Sequence, residues 1–273
     1  MRQYSEAWRL INDSPATGAW NMAVDEALMV LIGAGGASPT LRFYGWSPFC
    51  LSLGYGQGVE VVDKDRLAAA NMGIVRRPTG GGAILHADEV TYSVVLPAGH
   101  DLAKGSIVES YQRISRALVD GLRSLGVMGQ AESVRHAVPN TVVCFEIPSH
   151  YEPTVGGKKI IGSAQARKHN AVLQHGSIPL MGDVARICEV LAYDTEAERE
   201  QAKQQVRQRA CTLTDALHGR IKTYEQAAEA LVQGFEAVYD IHFDENGLSE
   251  NEANCASELA LEKYAQESWT ARR

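Results

Sequence analysis

Cysteine is scarce and scattered in this chain of 273 residues: five in all, at positions 50, 144, 188, 211 and 255, an odd number with no close pair. That spacing excludes a disulfide framework and a cysteine-based zinc site, and it points to a reducing, cytoplasmic setting. Eight histidines are present, yet no His-x-x-x-His or comparable cluster occurs, so no catalytic metal is expected. No apolar run reaches about 18 residues, and the opening MRQYSEAWRLINDSP lacks the continuous apolar stretch of a signal peptide. A membrane-spanning or secreted protein is therefore not expected. Basic residues are outnumbered, 26 Lys and Arg against 33 Asp and Glu for a net charge of -7, which argues against a general nucleic-acid binder while leaving room for one local basic patch. With 45% hydrophobic residues the chain is not disordered, and its 29.7 kDa suffices to bury a sizeable core.

What is present alternates between strand and helix signals. WRLI (8–11) reads as a strand and AWNMAVDEALMVLI as a helix stopped by Gly33, Gly35 and Gly36. Strands are expected at 40–46 and 50–55, then a helix starting near Asp63 and stopping at Gly73. IVRR, a PTGGG corner, AILH and VTYSVVLP give closely spaced strands, and apolar residues at 107, 108, 111, 114, 118, 122 and 125 mark the strongest helix. Hairpins follow through YEPTV, GGKKIIGSAQAR, a His-Asn turn at 169–170 and AVLQHGSIPL. From 183 onward the sequence turns charged and helical, with helices expected around 196–209, 223–239 and 248–266. The expected fold is α+β with a mixed or antiparallel sheet, because hairpin signals are too frequent for a doubly wound parallel sheet. Residues 1–182 form the expected core, and 183–273 a helical C-terminal region packed on it rather than an independent domain.

Several residues have chemical potential. In Arg76-Arg77-Pro78-Thr79-Gly80-Gly81-Gly82 the glycines permit close backbone approach to a ligand while guanidinium groups oppose carboxylate or phosphate. The spacing is not that of a phosphate-binding P-loop, and the same segment reads equally as a tight β corner with surface arginines. Strand alternation sends the two arginines to opposite faces, so at most one meets a ligand. Lys158 and Lys159 also face opposite sides of a strand, and parity does not choose between them; a lysine-decorated sheet edge is the plainer alternative. Cys144, in VVCFEIP, suits either an inert core thiol or a nucleophile for a thioester, whose pKa a nearby ammonium would lower. The other four cysteines are assigned to packing. His86 and His175 are candidate proton carriers, and His150 and His169 read as loop residues. Asp25 and Glu26, adjacent on the first helix, read as a cap-region pair on a solvated face.

RFYGW (42–46), VRRPTGGGAILHADEVTYSVV (75–95) and GGKKIIGSAQARKHNAVLQHGSIPL (156–180) resemble the lipoate-protein ligase and octanoyltransferase superfamily, which shares its fold with biotin protein ligases. NMAVDEAL near the start and the SWTARR tail extend the likeness over nearly the whole chain. Within it the chain most resembles the Bacillus-type octanoyl-[acyl-carrier-protein]:protein N-octanoyltransferases. The segment Cys144-Phe145-Glu146-Ile147-Pro148-Ser149 matches that family's CF-[DE]-x-P-S, Lys159 its lysine before G-S-A, and Arg76, Arg77, Thr79, Gly80 and Gly81 its RR-x-[ST]-G-G. Gly82 departs from the pattern: the Bacillus-type enzymes tend to have Arg there and ATP-using lipoate ligases Gly.

The resemblance implies Cys144 as acyl nucleophile and Lys159 for thiolate stabilisation and proton handling. Arg76, Thr79, Gly80, Gly81, Gly82, His86, Gly162, Ser163 and Ala164 would form the substrate site. It implies octanoyl-acyl carrier protein as donor, its group carried on phosphopantetheine, and glycine cleavage H protein or another lipoyl domain as acceptor. No resident cofactor, metal, nucleic acid or membrane is implied. Two alternatives stand beside it, an ATP-dependent lipoate-protein ligase acting through lipoyl-adenylate and an octanoyl amidotransferase between lipoyl-accepting proteins. Because a carrier protein is acidic, a basic patch is expected near the cleft from Arg76, Arg77, Lys158, Arg167 and Lys168.

Overall fold

A computed structural model describes residues 6–128, 130–131 and 153–272. Cys144 and the segment around it lie outside the described residues. The chain runs β1 (Glu6–Asn12), α1 (Gly18–Gly33), β2 (Thr40–Tyr44), β3 (Cys50–Leu53), α2 (Lys64–Ala69), β4 (Gly73–Arg76), β5 (Ile84–His86), β6 (Glu89–Pro97), α3 (Ile107–Ser124) and β7 (Gln130–Ala131). It continues with β8 (Pro153–Val155), β9 (Lys158–Lys159), β10 (Gly162–Lys168), β11 (Ala171–Pro179), α4 (Glu196–Arg209), α5 (Leu213–Ala216), α6 (Tyr224–Tyr239), β12 (Ile241–Glu245), α7 (Glu250–Leu259) and α8 (Glu267–Thr270). This is the α+β architecture with a mixed sheet that the hairpin signals indicated.

Six strands form the main sheet in the order β10-β11-β6-β2-β1-β12. β10, β11, β6 and β2 pair antiparallel, while β2, β1 and β12 run parallel. The β10–β11 hairpin closes at His169 and Asn170, both left-handed at φ 52° and 54°, as a two-residue turn matching the strand twist requires. α3 and α6 cover one face. Ser106 and Glu109 cap α3 reciprocally, and Thr223 and Gln226 do the same for α6. The two helices touch backbone to backbone: a Cβ on Gly121 would lie 2.6 Å from the Ala230 carbonyl oxygen, and one on Gly234 2.3 Å from that of Ala117.

α1 covers the other face, capped by the Thr17 side chain, and is itself covered by α7. Every residue from Asn21 to Met29 is buried, which corrects the reading of Asp25 and Glu26 as a solvated pair. Asp25 turns to the sheet; Glu26 turns to the C-terminal region, where it accepts hydrogen bonds from Lys263 and Tyr264. A smaller sheet, β4-β3-β5, packs with α4 and a 3-10 turn at 184–189 around Leu51, Leu53, Ala185, Cys188 and Val206.

The C-terminal region is largely helical, as expected, and it also supplies β12, which pairs in parallel with β1 and completes the main sheet's edge. Its alternation is short and sits among charges, with only Ile241 and Phe243 buried. α2 ends before Gly73, which already begins β4; Asn71, at φ 52°, turns the chain instead. Among the described residues no helix is long and apolar enough to cross a membrane.

Candidate active site

The glycine corner joins β4 to β5 and stands over the α1 face of the main sheet. Gly80 and Gly81 are exposed, Gly82 is buried, and Gly81 takes φ 91°. Gly54 lies so close beneath that a Cβ there would be 1.9 Å from the Gly81 carbonyl oxygen. Both arginines of the motif are buried, and neither guanidinium faces solvent. Arg77 donates to the carbonyls of Gly80 and Gly82 at 2.8 and 2.6 Å and to the Ser52 hydroxyl at 3.1 Å, so it shapes the corner from inside. Arg76 donates to Gly54 O and Thr270 O, each at 2.7 Å, and its own carbonyl accepts from Trp269 Nε1. It therefore ties the C-terminal tail to the loop under the corner. This removes Arg76 and Arg77 from the expected basic patch; Lys158, Arg167 and Lys168 are exposed.

Two buried hydrogen-bonded chains meet behind the corner. In the first, His175 Nδ1 donates to Asp25 Oδ2 at 2.8 Å and the Thr79 hydroxyl donates to Nε2 at 2.7 Å. Asp25 also accepts from Arg42 at 2.9 Å and from the Tyr44 hydroxyl at 3.0 Å. Burial alone would raise the Asp25 carboxyl, but the His175 hydrogen bond and the Arg42 charge overcome it and hold it below the usual carboxylate value. Burial lowers the pKa of His175, and its bond to Asp25 does not restore it, so the ring is held neutral. In the second chain His86 Nδ1 donates to Glu89 Oε1 at 2.6 Å and Ser52 donates to Nε2 at 2.8 Å. The His86 ring stacks on Trp46 at 3.9 Å, and Trp46 Nε1 donates to Thr91, which donates to Glu89. In each chain a carboxylate fixes the imidazole tautomer, leaving Nε2 as the acceptor.

Both chains border one cavity between the two sheets, walled by Met22, Trp46, Ile84, Ala164 and Gly176 with Ser52, Arg77, His86, His175 and Ser177 as polar lining. It holds about 20 Å³, room for about one water.

The structure thus brings Thr79, His86 and Ala164 together. It places Ser163 on the opposite face of the sheet, bonded to Tyr92 at 2.8 Å. Lys159 is the buried lysine of its pair and Lys158 the exposed one, which donates to Arg207 O at 2.8 Å. Lys159 sits on the small β7-β8-β9 sheet opposite Thr154, its carbonyl accepting from Cys211 N at 3.0 Å. Ser52 and Glu89 were not among the residues expected at the site, and Asp25 was expected on a solvated face. The signals were there: Glu89 follows His86 by three residues, and Asp25 is a carboxylate among Met22, Val24, Ala27 and Leu28, a setting in which a charge must be paired. Among the described residues no group of three or more His, Cys, Asp or Glu is placed to hold a metal.

The lipoyl protein ligase A/B catalytic domain matches residues 17–236. An octanoyltransferase LipM from Kyrpidia tusciae is 40% identical, covering 98% of this chain and all of its own length, and one from Bacillus subtilis is 36% identical over 98% and 99%. The chain belongs to the LipM-type octanoyltransferase family. Among solved structures, a lipoate-protein ligase A bound with ATP superposes with a TM-score of 0.79 at 29% identity, over 97% of this chain and 98% of the other. This chain and that ligase therefore share one fold, and the fold alone does not separate their chemistries.

Proposed function

We propose that this chain transfers an octanoyl group from the thioester of acyl carrier protein to the acceptor lysine of a lipoyl-dependent protein, such as glycine cleavage H protein, in endogenous lipoate biosynthesis. The observation that carries this reading is the full-length likeness, at 36–41% identity, to proteins named octanoyltransferases, above the 28–29% shared with lipoate ligases of solved structure. The CFEIPS segment at 144–149 supports a thioester intermediate.

In this reading the Cys144 thiolate attacks the octanoyl carbonyl, forming one C–S bond as the carrier's C–S bond breaks. The carrier thiolate leaves and takes up a proton. The acceptor amine then attacks the Cys144 thioester, forming the amide C–N bond and returning the sulfur as thiolate, while the amine's proton is lost to a neighbouring base. Lys159 supplies positive charge for the thiolate and the tetrahedral oxyanion. The corner of Thr79, Gly80, Gly81 and Gly82, braced by Arg77, positions the acyl group with Ala164 and Gly162, and the chain lies along Trp46 and His86. Arg76 acts by holding the corner's support rather than by touching substrate. The pairing of β12 with β1 supports reading residues 183–273 as part of the same catalytic unit.

The likeness to an ATP-bound lipoate ligase supports a second reading, adenylate-dependent ligation. Mixing the protein with octanoyl-acyl carrier protein and an apo lipoyl domain, without nucleotide, is expected to yield the octanoylated domain. Product only from octanoate with ATP and magnesium would establish the ligase instead.

A further inference from the structure

Beside the cavity lies a groove of about 890 Å³ whose described lining has a consistent chemistry. Its floor is apolar, formed by Leu10, Pro15, Leu180, Met181, Ala228 and Val232. Five carboxylates border it, Asp13, Asp88, Glu89, Glu225 and Glu229, and no lysine, arginine or histidine is among the described residues that line it. Asp13 and Asp88 are held from behind by Arg42 and Arg186, whereas Glu225 and Glu229 stand exposed on the first two turns of α6. The Tyr224 hydroxyl, also in the wall, is buried and has no hydrogen-bond partner among the described residues.

The groove adjoins the site. Trp46 lines both spaces, and Glu89, at the groove's inner end, receives the His86 hydrogen bond. On the octanoyl-transfer reading, on which this inference rests, the two substrates differ in charge where they enter. The donor's thioester rides on an arm bearing a phosphate anion, and the acceptor presents a lysine ammonium. An acidic groove repels the first and attracts the second.

We propose that this groove receives the acceptor protein's lysine-bearing segment, its floor taking apolar side chains of that segment and its carboxylates drawing the ammonium toward the Trp46–Glu89 end. The donor then enters from outside the groove, and the two substrates do not compete for one door.

The test separates the half-reactions, using octanoyl-acyl carrier protein to load the enzyme and an apo lipoyl domain to unload it. In the double charge reversal E225K/E229K, at two exposed positions of α6, unloading at subsaturating acceptor is expected to slow about tenfold at low salt, the gap closing at high salt. Loading is expected to stay within about twofold, and E225Q/E229Q to fall between. Equal unloading rates in reversed and wild-type protein would overturn the assignment, as would a defect in loading instead, which would make the groove the donor's entrance. Failure of the wild-type enzyme to load at all would overturn the transferase reading and this assignment with it.

Discussion

The two faces of the main sheet are both buried, yet they are built for different ends. Toward α3 and α6, β6 presents Val90, Tyr92, Val94 and Leu96, packed with Phe43, Ile114, Leu118 and Phe235. Toward α1 the intervening positions are Thr91, Ser93 and Val95, and β11 adds His175 and Ser177. One face gains its free energy from apolar burial and from helices close enough for Gly121 and Gly234 to abut. The other buries Arg42, Asp25, His175, His86 and Glu89, groups that are costly to desolvate and tolerable only because each is hydrogen-bonded. A buried ionic network of that kind seldom stabilises more than an apolar core would, and such networks are concentrated at functional sites.

The contrast is sharpest where one partner of a buried pair is removed. Arg42→Met leaves the Asp25 carboxylate without its cation, and we expect a loss of about 3–5 kcal/mol in urea unfolding, with most of it recovered in R42M/D25N. On the other face Leu118→Ala is expected to lose about 2–4 kcal/mol through its cavity while leaving kcat per folded molecule unchanged. The comparison breaks if Leu118→Ala lowers kcat, or if the double variant is no more stable than R42M.

A smaller effect follows from His175. Its folded pKa lies below the ordinary 6.5, so on acidification the unfolded chain binds a proton before the folded one does. Its stabilisation is therefore complete above about pH 6.5 and declines as pH falls toward the folded value. Asp25, Glu26 and Glu252, all held below their ordinary values, act in the same direction at lower pH. Melting temperature is expected to fall between about pH 7 and about pH 5.5, and His175→Gln to flatten that part of the curve. An unchanged slope in the variant would assign the pH dependence elsewhere.

Much of this was legible in the sequence. Local pattern marked α1, α3, the His169–Asn170 hairpin and the glycine corner, because capping residues, glycines and apolar spacing act over a few residues. What the pattern does not contain is the pairing of distant charges. Asp25 was misread because its partners, Arg42 and His175, come from strands 17 and 150 residues away. Arg76 resembled an anion binder, yet its acceptors are carbonyls of the loop at 54–57 and of the tail at 269–270, a closure that only the fold creates. β12 was missed for the same reason: five residues among charges become a strand because the exposed edge of β1 receives them.

In the proposed route the octanoyl group rests on Cys144 on its way to lysine. Its most direct test is the intact mass of the protein after incubation with octanoyl-acyl carrier protein in the absence of ATP, beside Cys144→Ala. A gain of about 126 Da, one octanoyl group, is expected on the wild type and none on the variant. The same gain on Cys144→Ala, or none on either protein with an intact donor, would contradict it.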